Sequence, residues 1–384
     1  MRRVAVIGVG VTKFGKHDRT SAELFAEAAG EAIRDADVAP SAIQALYYGN
    51  VTGGEGEKQL HMGPLAATLL GIPTIPTTRF ENACATSHAA FRHAVMEIAA
   101  GVSDIVMVGG AERVLNIPTD AATEYFAYCS DASWEQTVGL TFPGVFALIA
   151  RAHMDKYGTT EEQMAHVAVK NHRHGALNPK AQFRKEITVD MVLKSAYVAD
   201  PLKLLDCCPF TDGGAALVLA AEEIARKRPR SVWVLGTQAA SDTMFMHEKR
   251  DLSRVMATER AAAAVYRQAG KTPTDVDVVE LHDCFTIAEI IATEGLGFFE
   301  PGLGGLAAEK GWTGLGGKIP VNPSGGLKAK GHPIGATGAG QIAEITTQLR
   351  GEAGPRQVEG ARTGLTHTLG GNTATVLVSL FGRG

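Results

Sequence analysis

Val4-Ala5-Val6-Ile7-Gly8 recurs in the middle of the chain as Val232-Trp233-Val234-Leu235-Gly236. Each is a short apolar run ending in glycine, the pattern of a buried strand. Working outward, the same order of landmarks follows both copies. The first leads to an amphipathic helix at about Ser21 to Asp35, then to a loop entering a strand at Pro40 to Leu46. The second leads to Tyr266-Arg267-Gln268-Ala269, then to Pro273-Thr274-Asp275-Val276-Asp277-Val278-Val279. Asn82 and the apolar, small-residue helix at 89–99 match Asn322 and a helix near Gly340 to Leu349. Gly213-Gly214-Ala215-Ala216-Leu217-Val218-Leu219 matches Gly370-Gly371-Asn372-Thr373-Ala374-Thr375-Val376-Leu377-Val378. Self-similarity at half-chain length, with strands alternating with helices, predicts two duplicated α/β halves.

The first half is the longer between its Asn and Gly-Gly landmarks. The surplus lies at 114–205, a polar, irregular segment with helix-like pieces at 143–156 and 161–173. An excursion this large from a compact half is expected to be a lid or a substrate-binding subdomain. The basic run 226–230 reads as a solvated linker between halves rather than a nucleic-acid patch. The expected organisation is therefore 1–228 for the first half and 229–384 for the second.

With 384 residues and 45% apolar content, the chain can bury a large globular core. A net charge of −4 gives no electrostatic case for nucleic acid or an anionic membrane. No run approaches the ~20 apolar residues of a membrane span. The run Val4–Ile7 is too short for the apolar region of a signal peptide. Five cysteines, at 84, 129, 207, 208 and 284, lack paired Cys-x-x-Cys spacing. Neither a disulfide framework nor a structural zinc site is expected, and a reducing, cytoplasmic setting is.

Four stretches carry the candidate chemistry. In Asn82-Ala83-Cys84-Ala85-Thr86-Ser87 a cysteine falls where a strand runs into a helix. Helix N-terminal N–H groups there point at the sulfur, a placement expected to lower its pKa. Taken alone, a small buried packing cysteine explains that stretch as well. Leu281-His282-Asp283-Cys284-Phe285 follows the strand Val276–Leu281, and parallel α/β folds place ligands at the carboxyl ends of strands. Gly331-His332-Pro333-Ile334-Gly335-Ala336-Thr337-Gly338 puts a histidine before a helix, among glycines that allow close backbone approach. His367-Thr368-Leu369-Gly370-Gly371 precedes the last strand. The Gly-rich 325–340 stretch lacks the order of a P-loop, and Gly8-Val9-Gly10 lacks the third glycine of a dinucleotide fingerprint. His172 and His174 have no companion ligands at metal-binding spacing.

Together these stretches resemble the thiolase superfamily across nearly the full chain. The resemblance rests on ENACATSHAA around Cys84, HDCF at 282–285, NPSGGLKAKGHPIGATG at 322–338 and HTLGGNTATVLV at 367–378. HDCF stands where other thiolases carry Asn-Glu-Ala-Phe, and is most similar to the sterol-carrier-protein-type and archaeal thiolases. The resemblance implies an α/β fold of duplicated βαβαβαββ halves in a five-layered αβαβα core, with a loop-domain insertion in the first half.

It also implies an acyl-CoA:acetyl-CoA C-acyltransferase that makes or cleaves a 3-oxoacyl-CoA. Cys84 would attack the thioester and carry the acyl group, and His332 would take its proton. Cys284 would be the second acid/base. His282 with His332 would hold the thioester oxygen, and the backbone N–H of Cys84 with one from the Gly370-Gly371 turn would form an oxyanion hole. Coenzyme A and its acyl thioesters enter as substrates, with no covalently bound cofactor and no metal. Other thiolases carry a Cys-x-Gly cysteine near the C-terminus, but here no cysteine follows Cys284 and His367 occupies that neighbourhood. Aldolase-like chemistry on an acyl-CoA, a decarboxylative β-ketoacyl synthase and a non-catalytic scaffold therefore remain open. By resemblance a homodimer or tetramer is expected, with a small zinc-ribbon and OB-fold protein as a candidate partner in trans.

Overall fold

Strand residues that must be covered on both faces read as unbroken apolar runs, and the centre of this fold is built from such runs. The computed structural model describes residues 2–383. Its strands are β1 (Val4–Val11), β2 (Ala45–Gly49), β3 (Thr77–Phe80), β4 (Ile105–Glu112), β5 (Tyr197–Ala199), β6 (Leu202–Lys203), β7 (Gly213–Ala221), β8 (Val232–Ser241), β9 (Val278–Glu280), β10 (Thr363–Gly370) and β11 (Thr375–Arg383). Every residue of β4, β7 and β10 is buried.

Nine strands are hydrogen-bonded in the order β3-β2-β4-β7-β1-β8-β11-β10-β9. The join in the middle is slight: β1 meets β8 at two residue pairs, Ala5 with Trp233 and Val6 with Val232. On either side lie two sheets of matching topology. The first-half order is β3-β2-β4-β7-β1. The second is β9-β10-β11-β8, extended beyond β9 by one parallel bridge from Val279 to Val321. The third strand of the second half has thus shrunk to that bridge, a departure from a full βαβαβαββ repeat. Pro320 and Pro323 flank it and have no N–H to extend a ladder.

Alternation along the strands sorts the layers. Ala216, Val218 and Ala220 of β7 pack outward with the helices Ser21–Ala36 and Met62–Leu69. Ala215, Leu217 and Leu219 face inward, onto the helices Thr86–Ala100 and Thr337–Arg350. Those two helices also meet Val278 and Phe381 of the second sheet, whose other face carries Met256–Ala269 and Thr286–Gly295. The result is five layers, αβαβα, with one central helix from each half. Glycine permits their close approach: a Cβ on Gly338 would lie 2.6 Å from the Cβ of His88 on the other helix.

Between β4 and β7 the chain leaves the layers. It forms the helices Thr119–Ala127, Phe142–Tyr157, Glu161–Ala176 and Val189–Leu193 and the β5–β6 hairpin. Asp212 ties the root of this excursion, accepting the N–H groups of Val114 at 2.7 Å, Leu115 at 2.8 Å and His17 at 3.0 Å.

Candidate active site

The stretch after β3 cannot continue as a strand, because Ala83 adopts φ 46°, the left-handed region disfavoured for a side chain with a Cβ. Thr86 holds this bend. Its Oγ1 accepts the Asn82 N–H at 2.8 Å and donates to the Ala83 carbonyl at 2.6 Å, while Glu81 accepts the Ala83 N–H at 2.6 Å. The elbow presents Cys84 at the mouth of the helix Thr86–Ala100, half-buried, with its open side on a cavity of about 330 Å³. Cys84, Cys284, His282, His332 and Gly371 all line that cavity.

His282 and His332 pack edge to face with ring centroids 5.0 Å apart. The Cys84 sulfur and one nitrogen from each ring lie within 4.8 Å of one another. Thr337 sets the surroundings of His332 Nδ1. With the Thr337 Oγ1 proton on the Pro333 carbonyl at 3.1 Å, that oxygen accepts from His332 Nδ1 at 2.7 Å. His332 Nε2 then carries a bare lone pair, which leaves it able to accept a proton. The His332 backbone is fixed as well, its N–H donating to Thr211 Oγ1 at 2.9 Å. His282 is wholly buried, and neither ring nitrogen has a protein partner. A polar group so placed is costly unless a ligand satisfies it.

Burial decides the protonation states. It pushes the Cys84 thiol well up, with Cys129 and Cys208 adding to the rise, against the N–H groups of Gly371 and of Cys84 itself, which favour the thiolate. The expected lowering by the helix N-terminus is overturned, because losing water outweighs the dipole here. Burial also pushes His332 down to about 3 and His282 well below its usual value, the latter aided by His332 and His367. The resting site is a neutral thiol beside neutral imidazoles. Burial likewise pushes Cys284 up, with Cys208, Cys84 and Asp283 contributing, so it rests as a proton donor.

The oxyanion-hole candidates separate. The Gly371 N–H points at the Cys84 sulfur. Gly370 lies instead in the β10–β11 ladder opposite Thr375, where a Cβ would come within 2.7 Å of the Asn82 carbonyl. His367 does not line the cavity; its Nε2 hydrogen-bonds Thr258 Oγ1 at 3.0 Å. His172 and His174 are spent on packing. His172 Nδ1 lies 3.1 Å from the Lys185 carbonyl, and His174 Nδ1 3.0 Å from that of Asn322.

Several residues here were not singled out in the sequence. Phe126, Phe142, Phe146, Phe210 and Phe285 wall the cavity, and Cys207 and Cys208 line it. Cys208 donates its N–H to the Cys284 carbonyl at 2.9 Å, and Lys328, a lysine 1% exposed, donates to the Cys207 carbonyl. Asp283 accepts the N–H groups of Leu327 and Lys328 at 2.7 and 3.2 Å, tying the HDCF loop to the loop that carries His332. Glu112, at the end of β4, accepts from Val51, Thr52 and Gly335 N–H groups at 3.1, 2.8 and 2.8 Å and so joins the two halves. The doublet Cys207-Cys208 and the charged Lys328 inside a Gly-rich run were visible in the sequence, but their burial was not.

Two halves of one topology, with a cysteine elbow from the first and histidine loops from the second, define a thiolase. Family models for "Thiolase, N-terminal domain" at residues 4–223 and "Thiolase C-terminal domain-like" at 238–383 match, and the chain belongs to this family. It is 48% identical to an acetyl-CoA acetyltransferase of Methanothermobacter thermautotrophicus, over 100% of both chains. It is 38% identical to sterol carrier protein 2 of Bos taurus, over 100% of this chain and 72% of that one. Among solved structures, the Ltp2-ChsH2(DUF35) aldolase superposes with TM-score 0.84 at 28% identity, covering 99% of this chain and 98% of that one.

Proposed function

We propose that the protein is an acyl-CoA:acetyl-CoA C-acyltransferase working through an acyl-Cys84 intermediate. The observation that carries this is the meeting of the Cys84 sulfur with His282 and His332 nitrogens at one end of an apolar cavity. It is supported by full-length likeness to an acetyl-CoA acetyltransferase. In the first half-reaction the sulfur attacks the thioester carbon while His332 Nε2 accepts the thiol proton, which then passes to the departing coenzyme A sulfur. The N–H groups of Gly371 and Cys84 stabilise the oxyanion. In the second, His282 donates to the thioester oxygen of acetyl-CoA, joined by His332 only while its Nε2 holds a proton, and Cys284 moves the proton at carbon. In the cleavage direction the resting Cys284 thiol protonates the departing carbanion. His282, whose nitrogens are otherwise unpartnered, gains its hydrogen bond from the substrate.

The segment 114–205 serves as the loop domain: Phe126, Phe142, Phe146, Val198 and Leu204 give the acyl group an apolar wall. Coenzyme A is a diffusing substrate, and its polar end lies toward solvent. A reducing, cytoplasmic setting suits five free cysteines, and no helix among the described residues is long and apolar enough to cross a membrane. The chain works as a homodimer or tetramer. A small zinc-ribbon and OB-fold protein is its candidate partner, supported by the likeness to the Ltp2-ChsH2(DUF35) aldolase.

Incubation with acetoacetyl-CoA should place one acetyl group on the Cys84 peptide, and Cys84→Ala should lower turnover by at least about a thousandfold. Cys284→Ala should still take an acetyl group on Cys84 from acetyl-CoA, where no carbanion departs, but should lose acetylation from acetoacetyl-CoA and hydrogen–deuterium exchange at the acetyl-CoA methyl group. Label at another residue, or aldol cleavage without thiolysis, would overturn the assignment.

A further inference from the structure

The catalytic donors can also serve as a ligand set. One sulfur and two imidazole nitrogens, all within 4.8 Å of one another, come from Cys84, His282 and His332. Cysteine with histidine is a preferred donor set of zinc, and three protein ligands with one open position is the usual form of an accessible zinc site. Bonds of about 2.0–2.3 Å to a tetrahedral centre hold their donors roughly 3.3–3.7 Å apart. A contraction of about 1 Å from the widest separation here therefore closes the set. His282 is free to make it, because it is buried with both nitrogens unpartnered and no hydrogen bond tethers its ring. His332 is held in place: Thr337 engages Nδ1, which leaves Nε2 as the nitrogen open to an ion. Among the described residues no aspartate or glutamate lines the cavity, so hard cations find no carboxylate there.

We propose that Cys84, His282 and His332 form a binding site for Zn²⁺ and similar thiophilic divalent ions, and that metal binding and acylation of Cys84 exclude each other. On binding, the Cys84 thiol loses its proton to solvent and the thiolate and both neutral imidazoles each donate a lone pair to the ion. No electrons are transferred. The fourth position opens on the cavity and takes water. While the ion is bound, the sulfur lone pair that attacks the thioester and the nitrogen that accepts its proton are both occupied, so free zinc is a reversible inhibitor. Sequence spacing did not reveal the set, since its members stand at 84, 282 and 332 on three separate loops.

The test reads the metal directly, without any acyl-CoA, so its outcome is independent of which reaction the enzyme performs. Reduced, chelator-treated full-length protein is titrated with Co²⁺ and with Zn²⁺. The expected result is one equivalent per chain, a sulfur-to-cobalt charge-transfer band in the near ultraviolet, and protection of Cys84 from iodoacetamide that a chelator reverses. Mg²⁺ should do none of this. Cys84→Ser and His282→Ala should each weaken uptake by at least about tenfold, and Cys207→Ser should leave it unchanged. Circular dichroism checks each variant; should His282→Ala not fold, the near-isosteric Cys84→Ser carries the test. Absence of stoichiometric uptake, or uptake undiminished in the folded variants, overturns the proposal.

Discussion

At the scale of single residues, the site works by withholding charge. An exposed thiol beside a histidine could ionise in advance, but here burial raises Cys84 and lowers His332 to about 3, so both wait neutral. In the proposed reaction the tautomer of His332 then matters more than its pKa, because only a bare Nε2 can take the thiol proton. Thr337 sets that tautomer by donating to Pro333 and accepting from Nδ1. Thr337→Val keeps the shape and removes both bonds. It should slow acetylation of Cys84 by about 10–100-fold, the usual cost of losing a partner that orients a functional imidazole. Binding of acyl-CoA should change little. Rapid-quench measurement of the acetyl-enzyme checks this, and an unchanged rate would remove Thr337 from the account.

At the scale of elements, two helices and the loops feeding them bring Cys84 to His332. Thr86–Ala100 follows Cys84 and Thr337–Arg350 follows His332, and they pack side by side between the sheets. Their approach depends on Gly338, where a Cβ would meet His88 at 2.6 Å. Gly338→Ala should therefore destabilise the fold by about 1–3 kcal/mol, the range for overpacking. Gly340→Ala, two residues along the same helix, meets nothing nearer than 3.6 Å. It should be neutral or stabilising by up to about 1 kcal/mol, since alanine is the better helix former. Urea unfolding of the two variants compares them directly; equal stabilities would mean that the helix pair can relax apart.

At the scale of the whole molecule, burial of histidine links the fold to pH. Burial holds His88, His174, His332 and His367 at about 3 each, and His172 at about 4. Unfolding returns each to an ordinary value near 6.5, so the unfolded chain takes up protons that the folded chain refuses. Their contribution is fully present above about pH 6.5 and declines as pH falls toward 3. Between pH 7.5 and 5.5 each should withdraw roughly 1 kcal/mol. Unfolding free energy measured across that interval should fall steeply. His88→Gln, which can still hydrogen-bond Thr368 and Ser379, should flatten the slope. A stability independent of pH over this range would show that these rings are hydrated in solution.

Much of this was legible in the sequence, and the reasons are local. A buried strand must be an apolar run, so β1 and β8 announce themselves and, with their shared neighbours, reveal the duplication. An elbow into a helix and a histidine among glycines are short-range patterns, so Cys84, His282, Cys284 and His332 could be picked out one by one. The rest depends on what lies across space. Whether β3 has a full counterpart was decided by the prolines around Val321 acting within a folded sheet. The cavity's phenylalanines come from the excursion and from both halves. The protonation of Cys84 follows from how much water the assembled walls exclude, which outweighs the helix dipole that the sequence does show. The meeting of one sulfur with two imidazoles, on loops far apart in the chain, exists only once the two central helices have packed.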